Sequence, residues 1–519
     1  MTTSLFNRIR PDQIADRLDG EYYAKELLEN ETKLNHFNQV TLENCVTNIR
    51  NAISDLTSNG SFEFLRGIQF NNTNGIPYVR TQNLMDGYID FSDGIYVDLK
   101  CKDMVAKSLC ETGDLIVCRK GKVGAASAVS ADMHGAAISE NVTRFRLDNS
   151  CDADFLATFL NSNHGRMRFL REATGVIQKW INNEKLRQIR VIRIDSSAEK
   201  YIGDKVRQAE KLRAWAKRLE RSLDAFIDHF QPEKKEYKKL FSRVPNNLLT
   251  NMLTATTYRE RYISNQKNLK AISRIQPISY YLSSITNGYD ERNEIENGLP
   301  YVKVANVRAG YIDLKNTPRV RLSALTDASS KQKPEKGDLL LTRKGSFGIA
   351  AVVMESASFL CSSEVFSCKP SKPEFMPILS WFLNSEAGNM QFWQFSTGTT
   401  MPGINQENLQ NILIPDFSAC DIEQFNSIHK NRYEAKKNAE LLTDTAKTLV
   451  EALIEGQLTE QQLIQAQQAL EDGDNSLDQA ILSKLSAEGY AIEGATPLFS
   501  DVDELYSLLE EAAQAEAEE

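Results

Sequence analysis

The sequence contains an internal duplication, the feature that most restricts how the chain can fold. The run GIPYVRTQN at residues 75–83, followed by GYID at 87–90, recurs 223 residues later as GLPYVKVAN at 298–306 and GYID at 310–313. The blocks GDLIVCRKGKVG (113–124), SE (139–140), FLNS (159–162) and TG (174–175) recur in the same order at 337–348, 363–364, 382–385 and 397–398. Blocks in one order at nearly constant spacing predict two copies of one domain.

Each copy is predicted to mix strands and helices. Residues 76–79 and 299–304 are short apolar runs bounded by glycine and proline, a pattern typical of strands. The continuous apolar runs at 115–118 and 339–342 indicate buried strands, and the glycine that follows each allows the positive φ of a hairpin turn. Residues 155–169 and 378–392 have helical spacing. The predicted fold class is α/β in the mixed α+β sense.

A long helix is predicted after each copy. Apolar residues recur every seven positions from 202 to 230, and apolar residues at 425, 439, 446 and 453 keep the same spacing. A second apolar series lies between the members of each, as the a and d positions of a coiled coil require. An ordinary amphipathic helix packed on its own domain is the alternative. The predicted organisation is one domain at 1–195, a helix at 196–240, a second domain with its leading connector at 241–416, a helix at 417–460 and an acidic C-terminal extension at 461–519.

The net charge of −9 is concentrated near the C-terminus. Residues 471–519 contain 14 acidic residues and one lysine, which leaves 60 basic and 56 acidic residues in 1–470, a net charge of +4. An acidic tail of this kind is most often a solvated or partner-binding segment. The whole-chain charge is therefore a poor guide to what the rest of the chain binds.

Motifs of catalysis and cofactor binding are missing from the sequence. It contains no Walker-type, dinucleotide-binding, zinc-protease or nucleophile-elbow motif. The eight cysteines form no C-x-x-C pair and the five histidines are scattered, so we expect reduced thiols and no metal site. A nuclease-like pattern, Pro415-Asp416 with Glu434-Ala-Lys436, places its Glu and Lys on the second heptad helix, where a solvated face is the simpler interpretation. We predict a binding protein without catalytic residues, metal or cofactor of its own.

Location follows from the same sequence. No run of 18 apolar residues occurs, and the N-terminal residues lack the apolar core of a signal peptide. We therefore expect a cytoplasmic protein that makes no membrane contact.

Both copies place cationic, aromatic and amide side chains at equivalent positions. Cations on a glycine turn can reach phosphates or guanine edges, and an asparagine can bond adenine bidentately. The alternatives are a plain soluble hairpin tip for the turn and core packing for the tyrosines. The segments after each Thr-Gly diverge, as two readers of different sequences would, although loop drift would have the same effect. The candidate nucleic-acid contacts are Tyr78, Arg80, Asn83, Arg119, Lys120, Lys122 and Lys179 in the first copy and Tyr301, Lys303, Asn306, Arg343, Lys344, Thr399 and Thr400 in the second.

The order of these blocks resembles the specificity (S) subunit of type I restriction-modification systems. The resemblance rests on two domains that each hold G-x-P-Y-V-[RK]-x-x-N, a G-D-L motif with a basic glycine turn, and Thr-Gly, each followed by a long helix. RLDGEYY at 17–23 looks like the opening of such a domain, with a weaker echo, RERY, at 259–262. The resemblance covers about residues 10–460, and the acidic extension lies outside it.

The resemblance implies two target-recognition domains, each reading one half of a bipartite site in double-stranded DNA. It implies that the two long helices pair antiparallel in a pseudo-two-fold arrangement and hold the half-sites apart. A helix over 199–230 would extend about 48 Å, which matches roughly 14 base pairs. The implied partners are two methyltransferase (modification) subunits, which hold S-adenosylmethionine and methylate adenine, and in many members a restriction or translocase subunit.

Two other functions stay open at this point. A related phage-defence complex could use the same recogniser to direct a different effector. A duplicated protein-binding scaffold would also explain the repeat, and it would show no salt-dependent affinity for DNA.

Overall fold

The computed structural model of the chain describes residues 9, 14–15, 17, 19–175, 178–232, 243–246, 249, 252, 254–398 and 400–518. The chain forms two units, one from Met1–Ala216 and Glu434–Glu519 and the other from Lys217–Tyr433. Both division points lie inside long helices, so the units do not coincide with the domain boundaries predicted from the sequence.

In the part of the first unit before the long helix, the described residues form small sheets with strand orders β2-β9-β6-β7, β3-β5-β4-β8 and β1-β10. Its strands are β1 (Asn38–Thr41), β2 (Ile53–Ser54), β3 (Phe70–Asn71), β4 (Ile76–Val79), β5 (Ile95–Val97), β6 (Leu115–Cys118), β7 (Ala126–Ala128), β8 (Ala137–Ile138), β9 (Val142–Phe145) and β10 (Arg190–Arg193). Its helices up to the long helix are α1 (Lys25–Leu34), α2 (Phe62–Leu65), α3 (Lys102–Val105), α4 (Ala153–Asn161), α5 (Asn163–Glu172), α6 (Asn183–Arg187) and α7 (Ser196–Ala225).

The second unit has sheets ordered β12-β20-β17-β18, β16-β13-β19, β11-β21 and β14-β15. Its strands are β11 (Ile275–Pro277), β12 (Leu282–Asn287), β13 (Leu299–Val302), β14 (Val307–Arg308), β15 (Tyr311–Ile312), β16 (Arg319–Val320), β17 (Leu339–Thr342), β18 (Ala350–Val352), β19 (Leu360–Cys361), β20 (Val365–Pro370) and β21 (Leu413–Pro415). Its helices are α8 (Glu260–Ile272), α9 (Ala324–Asp327), α10 (Met376–Asn384), α11 (Glu386–Gln394), α12 (Gln406–Leu409) and α13 (Ala419–Ile454).

The strand pairings of the two units repeat one another. The predicted buried strand β6 pairs antiparallel with β7 and β9, as β17 does with β18 and β20. Strand β4 pairs in parallel with β8, as β13 does with β19. Every residue of β6 and β17 is buried. The prediction of two copies of a mixed α and β domain is therefore confirmed.

The predicted helices at 155–169 and 378–392 are each two helices. Ser162 and Ser385 adopt extended backbone angles, and their hydroxyls accept hydrogen bonds from the N–H groups of Gly165 and Gly388, at 3.2 Å in both units. A serine in this position starts a new helix because it satisfies an unpaired N–H of the first turn. A Cβ on Gly165 would stand 2.1 Å from the Phe159 carbonyl oxygen, so the close helix turn also needs glycine there.

The two long helices contact each other within both units. In the first unit, Arg213 donates to the Thr443 hydroxyl at 2.7 Å. In the second, an ion pair joins Arg432 to Glu220 at 2.8 Å and the rings of Phe226 and Phe425 lie 5.5 Å apart, so the helices run antiparallel there. Helix α7 ends at Ala225, before the end of the heptad pattern at 230 and before the predicted end of the helix at 240. The coiled-coil packing itself stays a prediction. Among the described residues, no helix is both long enough and apolar enough to cross a membrane.

The acidic C-terminal extension is folded, which its charge alone did not predict. It comprises α14 (Glu460–Glu471), α15 (Ser476–Leu482), β22 (Leu485–Ser486), β23 (Gly489–Tyr490) and α16 (Val502–Ala517). Many of its apolar side chains are buried, while most of its acidic ones are exposed. The buried set includes Leu463, Ala466, Ile481, Leu482, Leu485, Leu505, Leu508 and Ala512. A buried ion pair of 2.6 Å between Lys205 and Asp478 attaches it to α7. The net charge of the extension does not reveal the spacing of these apolar residues.

A buried histidine in the second unit predicts loss of stability in mild acid. His429 is 1% exposed beside Trp381 and Phe425, and neither ring nitrogen has a partner among the described residues. Burial, with a smaller effect of Arg432, lowers the pKa of His429 from 6.5 to about 4. The unfolded chain therefore takes up this proton first as the pH falls. We expect His429 to remove up to about 3 kcal/mol of unfolding free energy between pH 6.5 and 4.

Urea unfolding followed by tryptophan fluorescence across this pH range measures the effect. His429→Leu should flatten the pH dependence, whereas His36→Gln, which changes an exposed histidine, should leave it as it is. An unchanged slope in His429→Leu would contradict the prediction.

Candidate nucleic-acid interface

In each unit, two loops that are far apart in the sequence lie side by side. The Ile181 N–H donates to the Arg119 carbonyl at 3.0 Å, and the Ile404 N–H donates to the Arg343 carbonyl at 2.9 Å. Isolated bridges join Lys120 to Trp180 and Lys344 to Gly403. We call each pair of loops a paired-loop surface, made of the basic hairpin loop 119–124 with the Thr-Gly loop 174–180 in the first unit, and of 343–348 with 397–403 in the second.

The Thr-Gly loops close in the same way in both units. Thr174 and Trp180 exchange two backbone hydrogen bonds of 2.8 and 2.9 Å, as Thr397 and Gly403 do. Gly175 has a φ of +104°, and an added Cβ would lie 2.4 Å from the Gln178 carbonyl oxygen. Gly398 has a φ of +94°, and an added Cβ would lie 2.7 Å from the Met401 carbonyl oxygen. The shared Thr-Gly residues thus close each loop. The residues at the loop tip are not needed for this closure and can differ between the two units.

The first paired-loop surface exposes cations and an indole. Lys120 is exposed, and its ammonium has no hydrogen-bond or ion-pair partner within the described part of the chain. Lys122 is exposed beside the Leu84 carbonyl at 3.3 Å, and Lys179 pairs with Glu21 at 2.6 Å. Trp180 is 45% exposed, which is unusual for so large an apolar ring. Predicted lysine contacts therefore share one surface with an aromatic platform.

The second paired-loop surface is closed by the same backbone hydrogen bonds but exposes different side chains. Lys344 is exposed and forms an ion pair of 3.6 Å with the exposed Glu364. Thr400 is exposed and Met401 is 67% exposed. Thr399, another predicted contact, lies outside the described residues. This surface offers one cation, a hydroxyl and a thioether where the first offers three cations and an indole.

Two predicted contacts, Arg119 and Arg343, point away from the loop tips. Arg119 forms an ion pair of 3.0 Å with Asp55, which is 1% exposed, and also donates to the Glu140 carbonyl. Arg343 donates to the Ser363 carbonyl at 3.0 Å, and its guanidinium lies over the Phe366 ring. These guanidinium groups hold the base of the hairpin and are not presented to a ligand.

The predicted asparagine contacts are also buried. Asn83 is 2% exposed, accepts from the Arg80 N–H at 3.1 Å and donates to the Asp90 carbonyl at 3.1 Å. Asn306 bonds the Lys303 N–H and the Asn316 carbonyl at 3.0 and 3.1 Å. These amides close the turn that follows β4 in the first unit and β13 in the second. The structure therefore assigns them to the fold, in place of the expected adenine contact.

The predicted tyrosine contacts pack in the core, the alternative that the sequence left open. Tyr78 is 5% exposed against Phe70, and burial raises its pKa above the ordinary value. Tyr301 is 2% exposed, and its hydroxyl donates to the Tyr289 carbonyl at 2.7 Å. Their neighbours Arg80 and Lys303 bond the Asp93 carbonyl and the Glu294 carboxylate. None of these four side chains belongs to a paired-loop surface.

The FLNS block supports the hairpin under each paired-loop surface. The Asn161 amide accepts from the Ala126 N–H at 3.1 Å and donates to its carbonyl at 2.7 Å. Asn384 makes the same two bonds with Ala350, at 3.0 and 2.8 Å. These bonds hold β7 and β18 to α4 and α10. The block is therefore shared between the copies for structural reasons.

Sequence reasoning selected Lys179 from the first Thr-Gly loop but missed Gln178, Trp180 and Met401, which are also exposed. The available signal was the divergence of both loops between fixed flanks. A large apolar residue in a divergent loop is a candidate for contact with a partner, because it has no shared core position to fill.

The inward position of Arg119 gives a testable contrast with its neighbour. Arg119→Ala leaves the buried Asp55 carboxylate with fewer donors, so we expect a loss of about 2 to 3 kcal/mol in unfolding free energy. Lys120→Ala removes an exposed side chain and should leave stability unchanged. Chemical unfolding of both variants checks this, and equal stabilities would contradict the inward assignment.

No protein-family model matches this sequence, and no curated protein matches it. Among solved structures, it is similar to the S subunit of a type I restriction-modification system from M. genitalium, with 14% identity and a TM-score of 0.41 over 81% of this chain and 96% of that chain. It is similar to the HsdS subunit from Thermoanaerobacter tengcongensis, with 14% identity and a TM-score of 0.26 over 81% and 97%. A chain from a study of complex assembly in the type I system has 14% identity and a TM-score of 0.28 over 83% and 97%.

Proposed function

We propose that this chain is the DNA sequence-specificity subunit of a type I restriction-modification complex, and that each unit recognises one half of a bipartite site in double-stranded DNA. The duplicated paired-loop surface carries the proposal, because the same backbone hydrogen bonds close its loops in both units while the tip residues differ. Two paired-loop surfaces that are built alike but carry different tip residues could each recognise a different half-site. The block order in the sequence, which resembles S subunits, supports the same assignment.

The exposed side chains of the first surface fit a duplex. Lys120 and Lys122 can neutralise phosphates, which position a protein without selecting a sequence. Gln178, exposed at the loop tip, has the amide that can bond adenine N6 and N7 together. On the second surface, Met401 can contact the methyl group of thymine, as apolar side chains do in the major groove. Selection would come from the tips and affinity from the lysines.

In this proposal the chain recognises DNA and contributes no catalytic residue. Two methyltransferase subunits would bind S-adenosylmethionine and methylate adenine, and a restriction or translocase subunit would cleave unmodified DNA. Helices α7 and α13 each continue from one unit into the other, and their length would set the spacing of the half-sites.

Methylome sequencing of the source organism with this gene intact and with this gene deleted tests the proposal. We expect one split adenine-methylated motif that disappears when this gene is deleted. If methylation is absent or does not depend on this gene, the type I assignment fails. If the assembled complex binds DNA without salt dependence, nucleic-acid recognition fails as well.

A further inference from the structure

Two cysteines of the first unit lie next to each other, although 106 positions separate them in the sequence. An antiparallel bridge joins Val46 to Leu147, and the Asp148 N–H donates to the Cys45 carbonyl at 2.9 Å. This pairing brings Cys45 beside Cys151, so that each thiol influences the pKa of the other, while the Cys45 Sγ donates to the Thr41 carbonyl at 3.6 Å. Cys45 is 1% exposed, whereas Cys151 is partly open to solvent.

An arginine stabilises negative charge on the more exposed sulfur. Arg193 Nη1 lies 3.0 Å from Cys151 Sγ, and Glu199 holds the guanidinium at 2.7 Å. The neighbouring Cys45 thiol and then the charge of Arg193 lower the pKa of Cys151 to about 7, although burial opposes them. The neighbouring Cys151 thiol and burial raise the pKa of Cys45. One partner is therefore disposed to be a thiolate and the other a thiol, which is the division of roles in a reactive pair.

We propose that Cys45 and Cys151 are an oxidation site, in which Cys151 reacts with hydrogen peroxide and Cys45 then closes a disulfide. The Cys151 thiolate attacks one peroxide oxygen, the O–O bond breaks, and Cys151 sulfenic acid and hydroxide form. The Cys45 sulfur then attacks the Cys151 sulfur. The S–O bond breaks, and the departing hydroxide takes the Cys45 proton and leaves as water. Both sulfurs are oxidised, and one peroxide is reduced to one water and one hydroxide, which takes a proton from the solvent to become a second water.

The site lies where the first domain joins the long helix. Arg193 is the last residue of β10, and Glu199 belongs to the first turn of α7. The Arg193 Nη2 also donates to the Ser150 carbonyl, so one guanidinium links the cysteine loop, the strand and the helix. A disulfide carries no charge, and its formation removes the sulfur anion from this group. The inference is independent of the proposed DNA recognition and can fail without it.

Other cysteines of the chain provide internal references. Cys110 and Cys361 are buried, and burial raises the pKa of each thiol to about 12, which makes them poor nucleophiles. Cys420 is exposed on α13. It is the reference for a thiol that hydrogen peroxide reaches freely but that does not lie beside Cys45 and Arg193.

The test uses the full chain, reduced, freed of reductant and treated with hydrogen peroxide. Remaining thiols are then alkylated, and peptides are mapped by mass spectrometry. We expect a linked peptide pair containing Cys45 and Cys151 that dithiothreitol separates. The pair should persist in Cys420→Ala and disappear in Cys45→Ala, where dimedone should instead capture the Cys151 sulfenic acid.

A second measurement on the unmodified sequence keeps the proposal falsifiable even if a variant misfolds. The alkylation rate of Cys151 should be half-maximal near pH 7 and rise about tenfold from pH 6 to 9. An ordinary thiol with a pKa of about 8.5 would rise more than about a hundredfold over that range. The proposal is overturned if oxidised, folded chain yields no linked Cys45–Cys151 peptide, or if Cys420 is oxidised while Cys151 stays reduced.

Discussion

Asp478→Ala should destabilise the first unit by about 3 to 5 kcal/mol, because it leaves the Lys205 ammonium buried without its counter-charge. Both side chains are 1% exposed and lie 2.6 Å apart. The hydroxyls of Tyr201 and Tyr506 also donate to the Asp478 carboxylate, so the substitution removes the acceptor of three donors at once. Burial alone would raise the pKa of Asp478, but Lys205 and the two hydroxyls hold it below its ordinary value.

Two matched variants separate the buried charge from other effects. Lys205→Met combined with Asp478→Leu removes both charges and should recover most of the loss, because two apolar side chains of similar volume can replace a buried ion pair. Glu471→Ala breaks the exposed pair between Lys200 and Glu471, which joins the same two parts of the chain, and should change stability far less, because solvent screens the pair.

Urea unfolding measures the stabilities, and limited proteolysis reports whether the extension detaches from α7. We expect new cleavage after α13 in Asp478→Ala only. If Asp478→Ala unfolds like Glu471→Ala, the buried pair does not anchor the extension.

Local pattern was enough to predict the repeated elements. The apolar runs at β6 and β17 are continuous and lie between Gly-Asp and a basic glycine turn, so their burial and hairpin follow from sequence. The division of the helices at Ser162 and Ser385 was missed, because apolar spacing continues across the serine and only its capping bond ends the helix. The folded extension was missed because its acidic residues were counted without regard to the apolar face beneath them.

The candidate interface depended on contacts that sequence does not encode locally. Residue type alone made Asn83 and Arg119 equal candidates to Lys120. Asn83 is buried and bonds the Asp90 carbonyl, and the half-buried Arg119 is held inward by its ion pair with Asp55, 64 positions away. Lys120 remains exposed because its own loop turns outward beside the Thr-Gly loop. Long-range pairing therefore separated structural cations from exposed ones.

Replacing the tip of the first Thr-Gly loop by the tip sequence of the second should change which half-site the first unit recognises. The substitution replaces residues 176–179 (VIQK) by the sequence of 399–402 (TTMP) and keeps Gly175 and the two backbone bonds between Thr174 and Trp180. If the tip contacts bases, each lost base contact costs about 1 to 3 kcal/mol, so binding to the native first half-site should weaken about fivefold to 150-fold. Recognition of the second half-site should be unchanged, because its own loops are intact.

Competition binding of the assembled complex with duplexes mutated in one half-site at a time measures this change. Lys120→Ala is the matched control on the same surface. It should weaken binding to all sequences alike and reduce the salt slope by about 1, because a phosphate contact carries no sequence information. Lys484→Ala removes an exposed lysine of the extension and should change neither property. If the loop exchange behaves like Lys120→Ala, with weaker binding and unaltered preference, the Thr-Gly tips contact the backbone and the bases are read elsewhere.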